Sequence, residues 1–232
     1  MPNIADNLSV IRSRIINAAK KSGRDPNSIK LVAATKGVPV ALIEEAIAAG
    51  LTDIGENRVQ EAASKFDQLK RYPVTWHMIG HLQTNKVKPA LKMFSVIQSV
   101  DSERLAKEIS AKSERTIDVF MEVNASGEAS KFGIAPESSV ELATGISRLP
   151  NIRLKGLMTL GPDTDDKEKR RKSFRLLHGL FEGIKRLNLP SLELEYLSMG
   201  MSDDFEVAIE EGSNMVRIGS AIFGIEHGTV QR

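Results

Sequence analysis

The chain contains no cysteine among its 232 residues. That excludes a disulfide framework, a thiolate nucleophile and a sulfur-ligated metal, and it suits a reducing cytoplasm. It has no surplus of either charge, with 32 Lys and Arg against 30 Asp and Glu and a net charge of +2. A nucleic-acid module, which carries a concentrated basic surplus, is therefore not expected. No window approaches the ~18 consecutive apolar residues of a membrane span. The least polar stretch, around Val38 to Ala49, is broken by Glu44 and Glu45. The start, Met1 to Asn7, lacks the basic region and apolar run of a signal peptide, so a cytoplasmic protein is expected. No Pro/Gly/Ser-rich linker divides the chain. What is present, 41% hydrophobic and 27% charged residues, is the mix of a globular protein.

Short apolar runs alternate with longer amphipathic ones. Ile4, Leu8, Ile11, Ile15 and Ala18 fall at helical spacing and predict a helix over 4–21. Strand candidates follow at Leu31–Ala34, Asp53–Gly55, Trp76–Ile79, Ser95–Ser99, Asp118–Val123, Leu154–Met158, Glu195–Ser198 and Met215–Ile218. Helix candidates lie between most neighbours, at Val40–Ala49, Asn57–Leu69, Ser102–Lys112, Pro136–Arg148, Lys167–Leu187 and Ser202–Glu211. Only the stretch near Thr84–Leu91 is short. Strands joined by crossover helices imply a parallel sheet, and eight such units in a chain of this length fit a closed barrel. The expected fold is α/β, a single-domain (β/α)8 TIM barrel over 1–232 with the 4–21 helix packed on it. A doubly wound dinucleotide fold would need a Gly-rich turn after the first strand, and that turn reads Thr35-Lys36-Gly37-Val38-Pro39.

Barrel chemistry sits at the carboxyl ends of the strands. Lys36 stands just past the first strand, where a partly desolvated amine could attack an aldehyde to form a Schiff base; the plainer reading is a loop lysine. After the eighth strand, Arg217-Ile218-Gly219-Ser220 offers a small, hydroxyl-bearing turn of the kind that takes a phosphate, and Ser198-Met199-Gly200-Met201-Ser202 after the seventh offers the same. Ser202 could equally be a helix N-cap, as could Asn57 at the second strand's end. His77 and His81 have an i, i+4 spacing that invites a metal reading. On a strand, however, the two would lie roughly 13 Å apart, and no carboxylate nearby completes a ligand set, so no metal is expected. The run from Asp163 to Lys172 mixes both signs and reads as a solvated lead into a helix.

Several segments resemble the YggS/PROSC family of pyridoxal-phosphate homeostasis proteins. They include Leu31–Lys36, Gly55–Glu61, Trp76–Lys86, Glu122–Glu128 with Lys131-Phe132-Gly133, Gly156-Leu157-Met158, Ser198–Asp203 and Val216–Ser220. They run in order across nearly the whole chain. The resemblance implies a barrel like the N-terminal domain of alanine racemase and pyridoxal 5′-phosphate (PLP) as cofactor. Lys36 would hold the cofactor aldehyde as a Schiff base. Arg217 would face the pyridine nitrogen, Ser198, Gly219 and Ser220 would hold the phosphate, and Asn57 would line the pocket. Thr35 and Gly37 depart from the serine and threonine common in the family.

The function so implied is a PLP-binding protein that buffers the cofactor and delivers it to apo PLP-dependent enzymes, rather than an enzyme itself. The alternative is an amino-acid racemase or related enzyme of weak activity. Two-base racemisation needs an acid/base on each face of the substrate. In alanine racemases the second is a tyrosine supplied by a further domain. This chain runs eight residues beyond Gly224 and has only Tyr72 and Tyr196, so no counterpart and a monomer are expected. An aldolase using Lys36 on a sugar phosphate is chemically coherent but lacks the motif match. Lys131 is read as a solvated loop lysine or as a second anion contact during hand-over.

Overall fold

The computed structural model describes residues 3–224; the ends of the predicted 1–232 domain, residues 1–2 and 225–232, lie outside the described residues. Helix α1 (Ile4–Lys21) buries Ile4, Leu8, Ile11, Ile15 and Ala18, the stripe its spacing predicts, and Asn3 caps it by accepting from the Asp6 amide. The eight strands are β1 (Lys30–Ala34), β2 (Asp53–Glu56), β3 (Thr75–Met78), β4 (Val96–Val100), β5 (Ile117–Glu122), β6 (Ile152–Met158), β7 (Leu192–Ser198) and β8 (Met215–Ile218). They close into a barrel in chain order, with β8 returning to pair with β1 in parallel. The crossovers carry α2 (Val40–Ala48), α3 (Val59–Leu69), α4 (Val87–Leu91), α5 (Glu103–Lys112), α6 (Ser139–Ser147), α7 (Lys167–Lys185) and α8 (Phe205–Glu210), and a single turn, α9 (Ser220–Phe223), follows β8. The short stretch at Thr84–Leu91 is a 3-10 turn running into α4. Among the described residues no helix is long and apolar enough to cross a membrane.

Helix α1 lies on α8, α9 and α2. Asn7 donates to the Ile222 carbonyl at 2.8 Å, and Arg14 makes a two-pronged bond to Glu206 at 2.9 Å on each prong. Strands β6 and β7 start earlier than predicted, at Ile152 and Leu192. Among the added residues, Arg153 and Glu193 are charged and pair with neighbouring strands: Arg153 meets Asp118 at 2.7 Å and Glu193 meets Lys155 Nζ at 2.9 Å, which also meets Glu195 at 2.6 Å. Such a ladder stabilises a strand without the apolar run that signals one.

Two apolar regions result. The larger fills the annulus between strands and helices. The smaller, Val32, Val96, Phe120, Met158 and Met215, fills the barrel, where Phe120 stacks on Tyr196. This inner core is only partly apolar, because Asp53, His77, Gln98, Ser198 and Arg217 are buried in it too.

Candidate functional site at the barrel mouth

Lys36 is half-buried at the carboxyl end of β1, and the turn that carries it is clamped on both sides. On one side, the fully buried Thr35 hydroxyl lies 2.7 Å from Glu56 Oε1 and 3.1 Å from the Gly55 carbonyl. On the other, the Gly37 amide donates to Glu61 Oε1. Lys65, reaching up from α3 and itself buried, ties the clamp together: it donates to the Thr35 carbonyl at 2.7 Å and to Glu56 and Glu61 at 2.8 Å each. Gly37 has φ of 67°, a left-handed conformation without penalty only for glycine. Burial pushes the Glu56 carboxyl up despite Lys65 and Thr35, and its Oε2 has no partner. Burial acts the same way on Glu61, but Lys65 and the Gly37 amide outweigh it and hold that carboxyl low.

The register of β1 on β2 pairs Ala33 with Ile54 and Ala34 with Gly55, and Asn57 follows the end of β2 as Lys36 follows that of β1. Asn57 caps nothing, since α3 is entered through Arg58 with no side-chain cap. It lines a cleft of about 440 Å³ with Met78, His81 and Lys86. On the other flank of β1, the end of β8 comes so close that a Cβ on Gly219 would sit 3.0 Å from the Ala34 carbonyl. Just beyond, the Ser220 and Ser202 hydroxyls are 3.0 Å apart, and the Ala221 amide is 3.5 Å from Ser202 Oγ. Ser202 is no N-cap, because Asp204 occupies that position for α8. Ser198 is different: it is fully buried, donates to Gln98 Oε1 at 2.7 Å and accepts from Arg217 at 2.5 Å.

Arg217 is 3% exposed, with its second prong on the Thr159 carbonyl at 2.7 Å. Burial lowers its pKa to about 10 against the opposing pull of Glu122 and Asp204, so it remains a cation at neutral pH. Glu122, at the end of β5, is the buried acid that the sequence analysis passed over. Burial and the nearby Asp101 raise its pKa to about 7, Arg217 pulls the other way, and its Oε2 has no partner. The signal was a single carboxylate within Val119-Phe120-Met121-Glu122-Val123. Lys65 and Glu61 were also passed over, because an i, i+4 pair on a helix reads as a solvated face.

The two histidines go separate ways. His77 is inside the barrel, bonded to Asp53 and Gln98 at 2.9 Å each. His81 is at the rim, 3.2 Å from Asp101 and stacked on Phe132. Lys131 is not solvated as read: it pairs with Glu128 at 3.0 Å and donates to the Gly161 carbonyl, tying the loop after β5 to the loop after β6. Neither tyrosine reaches the mouth. Tyr72 follows α3 at the amino end of the barrel and bonds Glu44, and the Tyr196 ring packs on Phe120 in the interior.

Comparison with known proteins matches residues 3–227 to the family model described as alanine racemase, N-terminal domain. Two relatives called pyridoxal phosphate homeostasis protein align over nearly their full length. That of Aquifex aeolicus is 44% identical over 225 residues, covering 96% of this chain and 98% of its own; that of Pseudomonas aeruginosa is 43% identical over 227 residues, covering 97% and 96%. The chain belongs to the family of pyridoxal phosphate homeostasis proteins. Among solved structures, PipY of Synechococcus elongatus with PLP bound superposes with a TM-score of 0.83 at 32% identity, covering 95% of this chain and all of that one. Within the family pattern, this chain's Thr35 and Gly37 have definite work in the clamp described above, a hydroxyl on Glu56 and a left-handed turn.

Proposed function

We propose that this chain binds pyridoxal 5′-phosphate at the barrel mouth through a Schiff-base linkage on Lys36, buffers it, and delivers it to apo-enzymes that depend on it. The observation that carries the reading is the pairing of a clamped lysine at the end of β1 with a buried arginine at the end of the adjacent β8. The PLP-bound relative and the names of the curated ones support the choice of ligand. The residues fit the group. A cation 97% buried and a carboxylate with an orphaned oxygen border the mouth, and Gly219 leaves room where a Cβ would crowd the β1 backbone.

When bound, the cofactor supplies an aldehyde and an electron-withdrawing ring. Lys36 takes the aldehyde. Ser220 and Gly219, joined by Ser202, would hold the phosphate, and Asn57 would wall the pocket. Arg217 would face the ring nitrogen and, as a permanent donor, would keep it without a proton, restraining the ring as an electron sink. Ser198 contributes by orienting Arg217, which it already bonds. Neither tyrosine reaches the mouth to act as the second base that alanine racemases draw from a tyrosine, and the curated relatives carry the homeostasis name, so we favour a carrier over a racemase. We read the chain as a single binding unit over 1–232, monomeric and cytoplasmic.

Delivery is tested by mixing the PLP-loaded, desalted protein with an apo PLP-dependent enzyme. The loaded wild type is expected to restore that enzyme's activity, while the chain alone turns over no amino acid. Racemisation of alanine by the purified chain at rates typical of enzymes, about 1 per second or faster, would overturn the carrier reading.

A further inference from the structure

A continuous line of hydrogen bonds runs through the barrel from mouth to base. Arg217 Nη1 donates to Ser198 Oγ at 2.5 Å, and Ser198 donates to Gln98 Oε1 at 2.7 Å. Gln98 Nε2 lies 2.9 Å from His77 Nδ1, and His77 Nε2 lies 2.9 Å from Asp53 Oδ1. At the base, Lys30 Nζ approaches the same Asp53 oxygen at 3.3 Å, beside a cavity of about 740 Å³ at the amino ends of the strands. Every link but the outermost lysine is buried.

The direction of the line is forced by its upper end. Arginine has donors and no acceptor, so Ser198 must accept from it and spend its own proton on Gln98. That fixes the Gln98 amide with its oxygen toward Ser198 and its nitrogen toward His77. His77 Nδ1 must then be bare and its Nε2 protonated, which matches the Asp53 carboxylate below. Burial lowers the His77 pKa; Asp53 pulls the other way and Lys30 reinforces the lowering, so the ring is neutral. Asp53 stays ionised because the His77 and Thr52 bonds outweigh its burial. One orientation of each group satisfies all of them.

We propose that Gln98 and His77 are positioning residues for Arg217, holding its guanidinium in the plane in which it meets the cofactor ring. The inference rests on the proposed role of Arg217 toward the cofactor. With Nη1 fixed by Ser198 and Nη2 by Thr159, the guanidinium has no freedom to turn about Nε–Cζ. Removing Gln98 takes away the acceptor of the Ser198 proton; removing His77 leaves the Gln98 amide nitrogen with only Met215 Sδ at 3.3 Å and frees the amide to turn its oxygen from Ser198, so either change loosens the hydroxyl that holds Nη1.

The test uses the cofactor-free protein first. In arginine side-chain 15N NMR, the two Arg217 Nη groups of wild type are expected to exchange slowly. In Gln98→Leu and His77→Leu the exchange is expected to accelerate at least about tenfold, as the loss of roughly 1.4 kcal/mol of restraint implies. Phe120→Leu, which loosens the same interior at a residue whose register partner is Gly156 and not a member of the line, is expected to leave it unchanged, and His77→Gln, which keeps a donor and an acceptor, to restore slow exchange. Unchanged exchange in both Leu variants, with folding verified by circular dichroism, overturns the proposal. Affinity for pyridoxine 5′-phosphate, which lacks the aldehyde, is the second readout, with a loss of roughly tenfold expected in both Leu variants. Released Nη groups with unaltered affinity would overturn the placing of Arg217 on the ring while the positioning line stood.

Discussion

Lys65→Met is expected to destabilise the protein by roughly 3–5 kcal/mol, the cost of breaking a buried ion pair by removing one partner. In wild type the Lys65 ammonium is shared among the Glu56 and Glu61 carboxylates and the Thr35 carbonyl, and its side chain is 8% exposed. Methionine fills similar space but leaves the fully buried Glu56 with only the Thr35 hydroxyl to answer its charge. The variant should therefore take up a proton on Glu56 and lower the thermal midpoint by about 10 °C for a domain of this size. The same change frees the Thr35–Gly37 turn. In the double variant Lys65→Met/Glu56→Gln, much of the stability should return, because the uncompensated charge is gone, whereas cofactor binding should not, because the turn still lacks its tie. Urea unfolding of the four-member cycle measures the coupling. A loss below about 1 kcal/mol in the single variant would mean that the pair is solvated and the clamp is not what holds Lys36.

Glu122→Gln should stabilise the protein in a strictly pH-dependent way. The native pKa of this acid, raised from 4.5 to about 7, lies above that of the unfolded chain. Between those values the folded state holds a proton that the unfolded state releases, so wild-type stability falls as pH rises through the window. Above it the full penalty applies: at about 1.4 kcal/mol per pH unit the gap amounts to roughly 3 kcal/mol. Glutamine is neutral throughout. The variant should thus exceed wild type by roughly 3 kcal/mol at pH 8 and converge with it by about pH 4.5. Equal unfolding curves at both pH values would show that Glu122 is ionised and well solvated in the native state.

Much of the fold was legible because the eight strands of a parallel barrel are buried on both faces and stand out as apolar runs between amphipathic helices. The runs failed where the sheet is held by charge, at the starts of β6 and β7. The same property hid the barrel interior. A strand buried on both sides gives no hint which residues face inward, so Asp53, His77 and Gln98 did not read as a set, and the His77–His81 spacing drew attention to a metal instead. Lys36, Asn57, Arg217, Gly219 and Ser220 stand near or just past the carboxyl ends of strands, as their places in the sequence imply, whereas the roles expected of them toward the cofactor came from the family resemblance and not from position. The same holds for Ser198, and the direction its hydroxyl takes was not legible. The clamp around Lys36 was illegible because its parts come from β1, β2 and α3 and meet only when α3 packs back on the sheet.

The central claim is that Lys36 holds the cofactor. It is tested most directly by the visible absorbance of wild type and Lys36→Ala after incubation with PLP and removal of excess. Wild type is expected to keep a Schiff-base band that borohydride converts to a stable, protein-bound product, and Lys36→Ala is expected to show neither. A borohydride-trapped band of equal strength in both proteins, or none in wild type, would contradict it.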